Sequence, residues 1–118
     1  MDAGTDIEVT YPRPGVALVE CTGEHDMTTR EETDRLFGLL VSESQLVVID
    51  LSEARFIDSS FVTNLLKADR LARQQGRLVR VQIGTAPTVR RVLEISGLVG
   101  KLDCVESRDA SARHWSAP

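Results

Sequence analysis

A chain of 118 residues, 42% of them hydrophobic, has the length of one domain and can bury one core without a disulfide or a metal as a staple. Its formal charge of -4 gains nothing from counterion release on a phosphate backbone, which argues against direct nucleic-acid binding. No apolar run approaches the ~20 residues that cross a bilayer, so no membrane insertion is expected.

Aromatic residues make up only 4% of the chain, so Val, Leu and Ile must fill the core. Residues 1–6 are polar and acidic, unlike a signal peptide. Cys21 and Cys104 lie in apolar, strand-like stretches. Neither has a CxxC partner or a His at ligand spacing, so both read as buried, reduced thiols of a cytoplasmic protein with no metal and no cofactor.

Alternation at Ile7, Glu8 and Val9 predicts a short strand, and Tyr11-Pro12-Arg13-Pro14-Gly15 a turn. Residues 16–21 alternate as a second strand, with Val16 and Leu18 on one face and Ala17, Val19 and Cys21 on the other. The two strands should form an antiparallel hairpin. Residues 22–26 read as a polar loop. Overlapping capping boxes, Thr28-x-x-Glu31 and Thr29-x-x-Glu32, open a helix with Thr33, Leu36, Phe37 and Leu40 at helical spacing, ending near Ser42.

The continuous run Leu46-Val47-Val48-Ile49 predicts a central strand buried on both faces, followed by a short connection over residues 53–56. Val62, Leu65, Leu66 and Ala72 form the apolar side of a second helix that reaches about Gln75, with Gly76 as its cap. Residues 78–83 alternate as a strand. Thr85 and Pro87 open a third helix with Val89, Val92 and Leu93 inward, closed by Gly97 and Leu98. Residues 102–105 are a last strand, and residues 1–5 and 108–118 read as loose termini. The expected fold is a single α/β domain over 1–118 in the order β-β-α-β-α-β-α-β. Helices pack on a mixed sheet of four to five strands, the last three parallel through right-handed crossovers.

In an open α/β sheet, functional groups collect at the carboxyl ends of parallel strands. Asp50 and the Asp58-Ser59-Ser60 turn stand there, with Asp58 or Ser59 as the helix N-cap. A phosphate on this turn would add roughly -1.5 to -2 charge at pH 7. The exposed N–H groups and positive dipole end of a helix N-terminus favour such a charge. Together with Asp26 the turn would form an acidic rim that repels an acidic partner once phosphorylated. On local sequence alone, Asp-Ser-Ser before an apolar helix reads first as an ordinary N-cap. Arg90 and Arg91 read as a solvated pair, and His114-Trp115 as a tail contact or the edge of the core.

The segment Val47-Val48-Ile49-Asp50-Leu51-Ser52-Glu53-Ala54-Arg55-Phe56-Ile57-Asp58-Ser59-Ser60 resembles the signature of STAS domains, specifically the bacterial anti-sigma factor antagonists. Gly23-Glu24-His25-Asp26 resembles the family's Gly-Glu-(apolar)-Asp loop, and Ile95-Ser96-Gly97-Leu98 is similar to the Gly-Leu that closes its third helix. The resemblance covers nearly the whole chain and implies a STAS-like fold and a non-enzymatic binding domain.

It further implies that Ser59 is phosphorylated by an anti-sigma factor that is a GHKL-type serine kinase. The unphosphorylated chain would bind that kinase and free a sigma factor, a phosphatase would reset the cycle, and the chain would be a monomer or weak dimer. Glu24, Asp26, Asp58, Ser60 and Phe61 would make the docking surface. Phe61 stands where Gly is usual and reads as an apolar anchor, as an obstacle to the kinase, or as a residue packed on Met27 or a neighbouring loop. His25 replaces an apolar residue and reads as a surface loop histidine; Thr63 and Asn64 stand where small or apolar residues are common. The alternative is a non-phosphorylated STAS scaffold or transporter-complex subunit docked through Phe61. An enzyme using Ser59 as nucleophile would lack a G-x-S-x-G elbow and have only His25 and His114 as bases.

Overall fold

The computed structural model describes residues 5–25, 29–84, 87–95, 97 and 103–105, with backbone alone for 5–6 and 103–105. Its elements are β1 (Thr5–Arg13), β2 (Val16–His25), α1 (Arg30–Glu43), β3 (Leu46–Ile57), α2 (Ser59–Gln74), β4 (Leu78–Gln82), α3 (Pro87–Ile95) and β5 (Asp103–Val105). The order of elements is the expected one. The five strands lie side by side in chain order, β1 antiparallel to β2 and every later neighbour parallel. Because the strand order never reverses, right-handed crossovers carry α1, α2 and α3 to one face of the sheet.

Register explains how so few aromatic residues suffice for the core. Ala17, Val47 and Val79 form one row across β2, β3 and β4, and Val19, Ile49 and Val81 form the next. These side chains, mostly β-branched, suit a pleated surface, and all are at most 1% exposed. Phe37, Leu40 and Val41 of α1, Leu65, Ala68 and Ala72 of α2, and Val89 and Leu93 of α3 close over them in one cluster. The alternate residues Val48, Asp50, Arg80 and Gln82, on the opposite face, are buried as well.

Five local expectations are corrected. β1 runs on through Tyr11, Pro12 and Arg13, so the turn shrinks to Pro14 and Gly15, where Gly15 takes φ 82. Residues 22–25, expected as a loop, and 53–56, expected as a connection, are strand. They pair with each other, Thr22 with Glu53, Gly23 with Ala54, Glu24 with Phe56 and His25 with Ile57, across two irregularities. Their polar residues concealed this, because inward-facing side chains are confined to His25, Ala54 and Ile57.

The capping box at Thr29 does not form. Thr29 is the N-cap of α1 without a side-chain cap hydrogen bond, and Glu31 and Glu32 favour the helix through its dipole instead. Thr28 lies outside the described residues. Leu66 is exposed, because Val62, Leu65, Ala68 and Ala72 face the core and turn it outward. At the other end of α2 the cap is as expected. Gly76 has φ 70, and the bonds Arg77 N–H to Ala72 O (2.7 Å) and Gly76 N–H to Arg73 O (3.2 Å) form a Schellman motif. Gly97 has φ 73 at the end of α3. Leu98, Met27, His114, Trp115 and the side chain of Cys104 lie outside the described residues.

Two features of the sheet carry predictions. Gly84, just past β4, passes so close to β3 that an added Cβ would sit 2.6 Å from Ser52 Cα and 2.9 Å from Ser52 O. Backbone cannot yield cheaply, so Gly84→Ala should cost about 1–3 kcal/mol of stability, read from urea unfolding. Cys21 is fully buried, and burial first, then the nearby charge of Asp50, pushes its thiol up from 9.0. The native thiol should resist iodoacetamide at neutral pH and react once urea unfolds the chain, with peptide mapping to identify Cys21. Its raised native value contributes stability in full below pH 9.0 and loses it as pH rises beyond. The fall in unfolding midpoint between pH 8 and pH 10 should therefore be smaller in Cys21→Ala.

Candidate functional site

β3 ends at Ile57 and α2 begins at Ser59, so one residue, Asp58, must turn the chain. It does so in an extended conformation, and the side chain then folds over the helix start. Asp58 Oδ1 accepts from Ser60 N–H (3.0 Å), Phe61 N–H (3.1 Å) and the Ser60 hydroxyl (2.6 Å). The Asp58 carbonyl accepts from Val62 N–H at 3.1 Å, and Asp58 N–H donates to His25 O at 3.1 Å. The turn is thus fastened both to its own helix and to the end of β2. Of the two capping candidates it is Asp58, with no contribution from Ser59. Replacing it with Ala should cost about 1 kcal/mol and speed amide exchange at Ser60 and Phe61.

The two serines are not equivalent. Ser60 is half-buried and its hydroxyl is engaged by Asp58. Ser59 is exposed, and its hydroxyl has no hydrogen-bond partner among the described residues. Its carbonyl accepts from Thr63 Oγ1 at 3.0 Å, one turn on. Two of the first-turn amides expected to receive a phosphate are already taken. Ser60 and Phe61 N–H both point at the Asp58 carboxylate, so added charge at Ser59 stands beside an anion that already holds these two donors.

Of the readings open for Phe61, the structure has the packed residue and not an exposed anchor. It is 2% exposed, with its ring 5.2 Å from that of His25 and 6.0 Å, edge-on, from that of Phe37. His25 is likewise not a surface loop residue: it is fully buried at the end of β2, and its Nε2 donates to Thr22 O at 2.8 Å. The first turn of an amphipathic helix faces the core at this position, and an aromatic ring there can only go inward. Glu24 is exposed on β2, next to the residue that holds Asp58. Asp26 lies outside the described residues. Asp50, expected beside the turn, is buried within β3, where its Oδ1 accepts from Ser52 N–H (2.9 Å) and the Ser52 hydroxyl (2.5 Å).

One residue was noted in the sequence only as unusual. Asn64 is buried in α2 and donates from Nδ2 to Arg30 O at 3.1 Å, tying the helix that carries Ser59 to the start of α1. An amide at a helical position that faces the core is the signal that could have found it. A groove of about 410 Å³ between α1 and α2 is lined by Asp34, Phe37, Gly38 and Lys67 among others, and not by residues of the turn. Among the described residues no group of His, Cys, Asp and Glu could hold a metal ion, and no helix is long and apolar enough to cross a membrane.

Residues 10–104 match the family model described as Mlab, STAS domain. A search of curated proteins finds no match. The fold is similar to that of the anti-sigma factor antagonist SpoIIAA in its unphosphorylated form, at 18% identity over 96% of this chain and 99% of that one, with a TM-score of 0.80. An anti-sigma factor antagonist from Mycobacterium paratuberculosis is similar at 23% identity over 93% and 92%, with a TM-score of 0.82. The Bacillus cell fate determinant SpoIIAA in its phosphorylated form is similar at 19% identity over 92% and 98%, with a TM-score of 0.69. At these identities the likeness is one of fold. With a family match that runs from β1 into β5, the chain belongs to the STAS domain family.

Proposed function

We propose that this STAS domain is a cytoplasmic anti-sigma factor antagonist switched by phosphorylation of Ser59. The unmodified chain binds an anti-sigma factor that is a GHKL-type serine kinase, which releases a sigma factor. The kinase then phosphorylates Ser59 and the complex dissociates, and a phosphatase restores the binding form. The domain acts by binding and performs no chemistry of its own.

The observation that carries this reading is the contrast between the serines: Ser59 offers an exposed hydroxyl with no partner among the described residues, on a turn whose neighbouring hydroxyl is engaged by Asp58. Two of the similar proteins are anti-sigma factor antagonists, and one of these, SpoIIAA, also has a phosphorylated form, which supports the same class. Electrostatics supply the switch. A phosphate carrying roughly -1.5 to -2 charge would sit beside the Asp58 carboxylate, with no free first-turn amide at Ser60 or Phe61 to absorb it. The charge acts on whatever docks there, and an acidic partner surface is repelled.

The test is to co-express the chain with its partner kinase and measure the affinity of the unmodified form, the phosphorylated form and Ser59→Asp. The modified forms should bind at least about tenfold more weakly, a difference of ~1.4 kcal/mol. Equal binding by all three would overturn the switch. It would leave the scaffold or transporter-complex reading, which can no longer rest on Phe61 as an exposed anchor.

A further inference from the structure

Two residues that depart from the pattern this chain resembles, His25 and Phe61, turn out to be packed against each other at the turn that carries Ser59. Their rings lie 5.2 Å apart at 50°, and both are buried. Each is also joined to Asp58 through its main chain. His25 O receives Asp58 N–H at 3.1 Å, and Phe61 N–H donates to Asp58 Oδ1 at 3.1 Å. The contacts therefore close a ring: His25 backbone to Asp58, Asp58 side chain to Phe61 backbone, Phe61 side chain to His25 side chain. Ser59 stands between Asp58 and Phe61 in the chain and is exposed. The imidazole is itself fixed, since Thr22 O can only accept and Nε2 must carry the proton it donates there. Phe37 of α1 holds the far side of the Phe61 ring.

We infer that His25 and Phe61 are a matched pair of positioning residues, which hold the Asp58-Ser59-Ser60 turn in the one arrangement that presents the Ser59 hydroxyl. This deepens the proposed switch and, for its consequence in phosphorylation, rests on it. Neither residue touches a partner. Each acts through Asp58, one from β2 and one from α2, so the pair also makes the carboxyl end of β2 and the start of α2 move as one body. A small residue at position 61 would leave the His25 ring without its neighbour, and an aliphatic residue at 25 would remove both the ring contact and the anchor on Thr22.

The experiment is a double-mutant cycle read by amide hydrogen exchange, using His25→Leu, Phe61→Leu and the double variant. Each single change should speed exchange at Asp58, Ser60 and Phe61 by about tenfold beyond any change at Val48 and Ile49 in the core of β3. The double variant should fall well short of the product of the two single effects, because both changes remove the same ring contact. Multiplicative effects, or exchange at the turn that moves only in step with Val48 and Ile49, would overturn the pairing. His25→Gln, which keeps a donor for Thr22 O, serves if His25→Leu does not fold, and should fall between wild type and Phe61→Leu. With the kinase in hand, the folded variants should lose kcat for Ser59 with KM little changed. Failure of Ser59 to be phosphorylated at all would sink the switch while leaving the exchange result standing.

Discussion

Incubated with its partner kinase and ATP, the wild-type chain should take up one phosphate, Ser60→Ala about as much, and Ser59→Ala none. Intact-mass and peptide mass spectrometry read this directly. The two hydroxyls are adjacent in sequence, so a kinase that reads sequence alone would have little basis for choosing. The structure supplies one. The Ser60 hydroxyl donates to Asp58 at 2.6 Å, and using it as an acceptor would mean breaking a charge-assisted bond worth roughly 1.5–3 kcal/mol. Ser59 has no such bond to break. The same asymmetry gives a stability contrast: Ser60→Ala should lower the unfolding midpoint measurably, while Ser59→Ala should not. Phosphate at residue 60 in the wild type would show that the cap opens during recognition and that the acceptor is misassigned.

Phe61→Ala should be the most damaging single change near the site. The ring is 2% exposed between His25 and Phe37, and its removal leaves a cavity in the same core that α1 and α2 share. Losses for buried Phe to Ala run at about 3–5 kcal/mol, and domains of this kind have roughly 5–15 kcal/mol in all. Urea unfolding followed by circular dichroism should therefore show a much lower midpoint, with Phe61→Leu intermediate. An exposed docking anchor would behave otherwise, shifting stability by less than about 0.5 kcal/mol while abolishing partner binding. A wild-type midpoint would contradict the burial. The practical consequence is that lost binding in Phe61→Gly cannot be read as a lost contact unless its folding is measured alongside.

Much of this was legible in the chain, and the illegible parts share a cause. Val47, Val48 and Ile49 announce a central strand because a strand buried on both faces needs no alternation. Gly76 announces the end of α2 because its left-handed backbone costs other residues more. Residues 22–25 and 53–56 did not announce a strand, because they pair chiefly with each other through backbone, which leaves little trace in side-chain pattern. Ser59 was legible as a position, but its distinction from Ser60 depends on where one carboxylate oxygen points. His25 and Phe61 were visible as departures taken one at a time. That they meet across 36 residues of chain is a fact of register, His25 opposite Ile57 in the sheet, and no local window contains it.

The unbroken strand order has one more consequence, for assembly. Every strand neighbours the strand made just before it, so no connection has to reach past an intervening one. Loop closure costs less when partners are nearer in sequence, so each parallel strand closes onto the strand made just before it at the smallest separation a crossover allows. The turn, its anchor on β2 and the helix behind it all lie between residues 16 and 74. The Asp58-Ser59-Ser60 turn thus draws these contacts from one continuous stretch of the chain. During synthesis it can form its contacts before β4, α3 and β5 have been added.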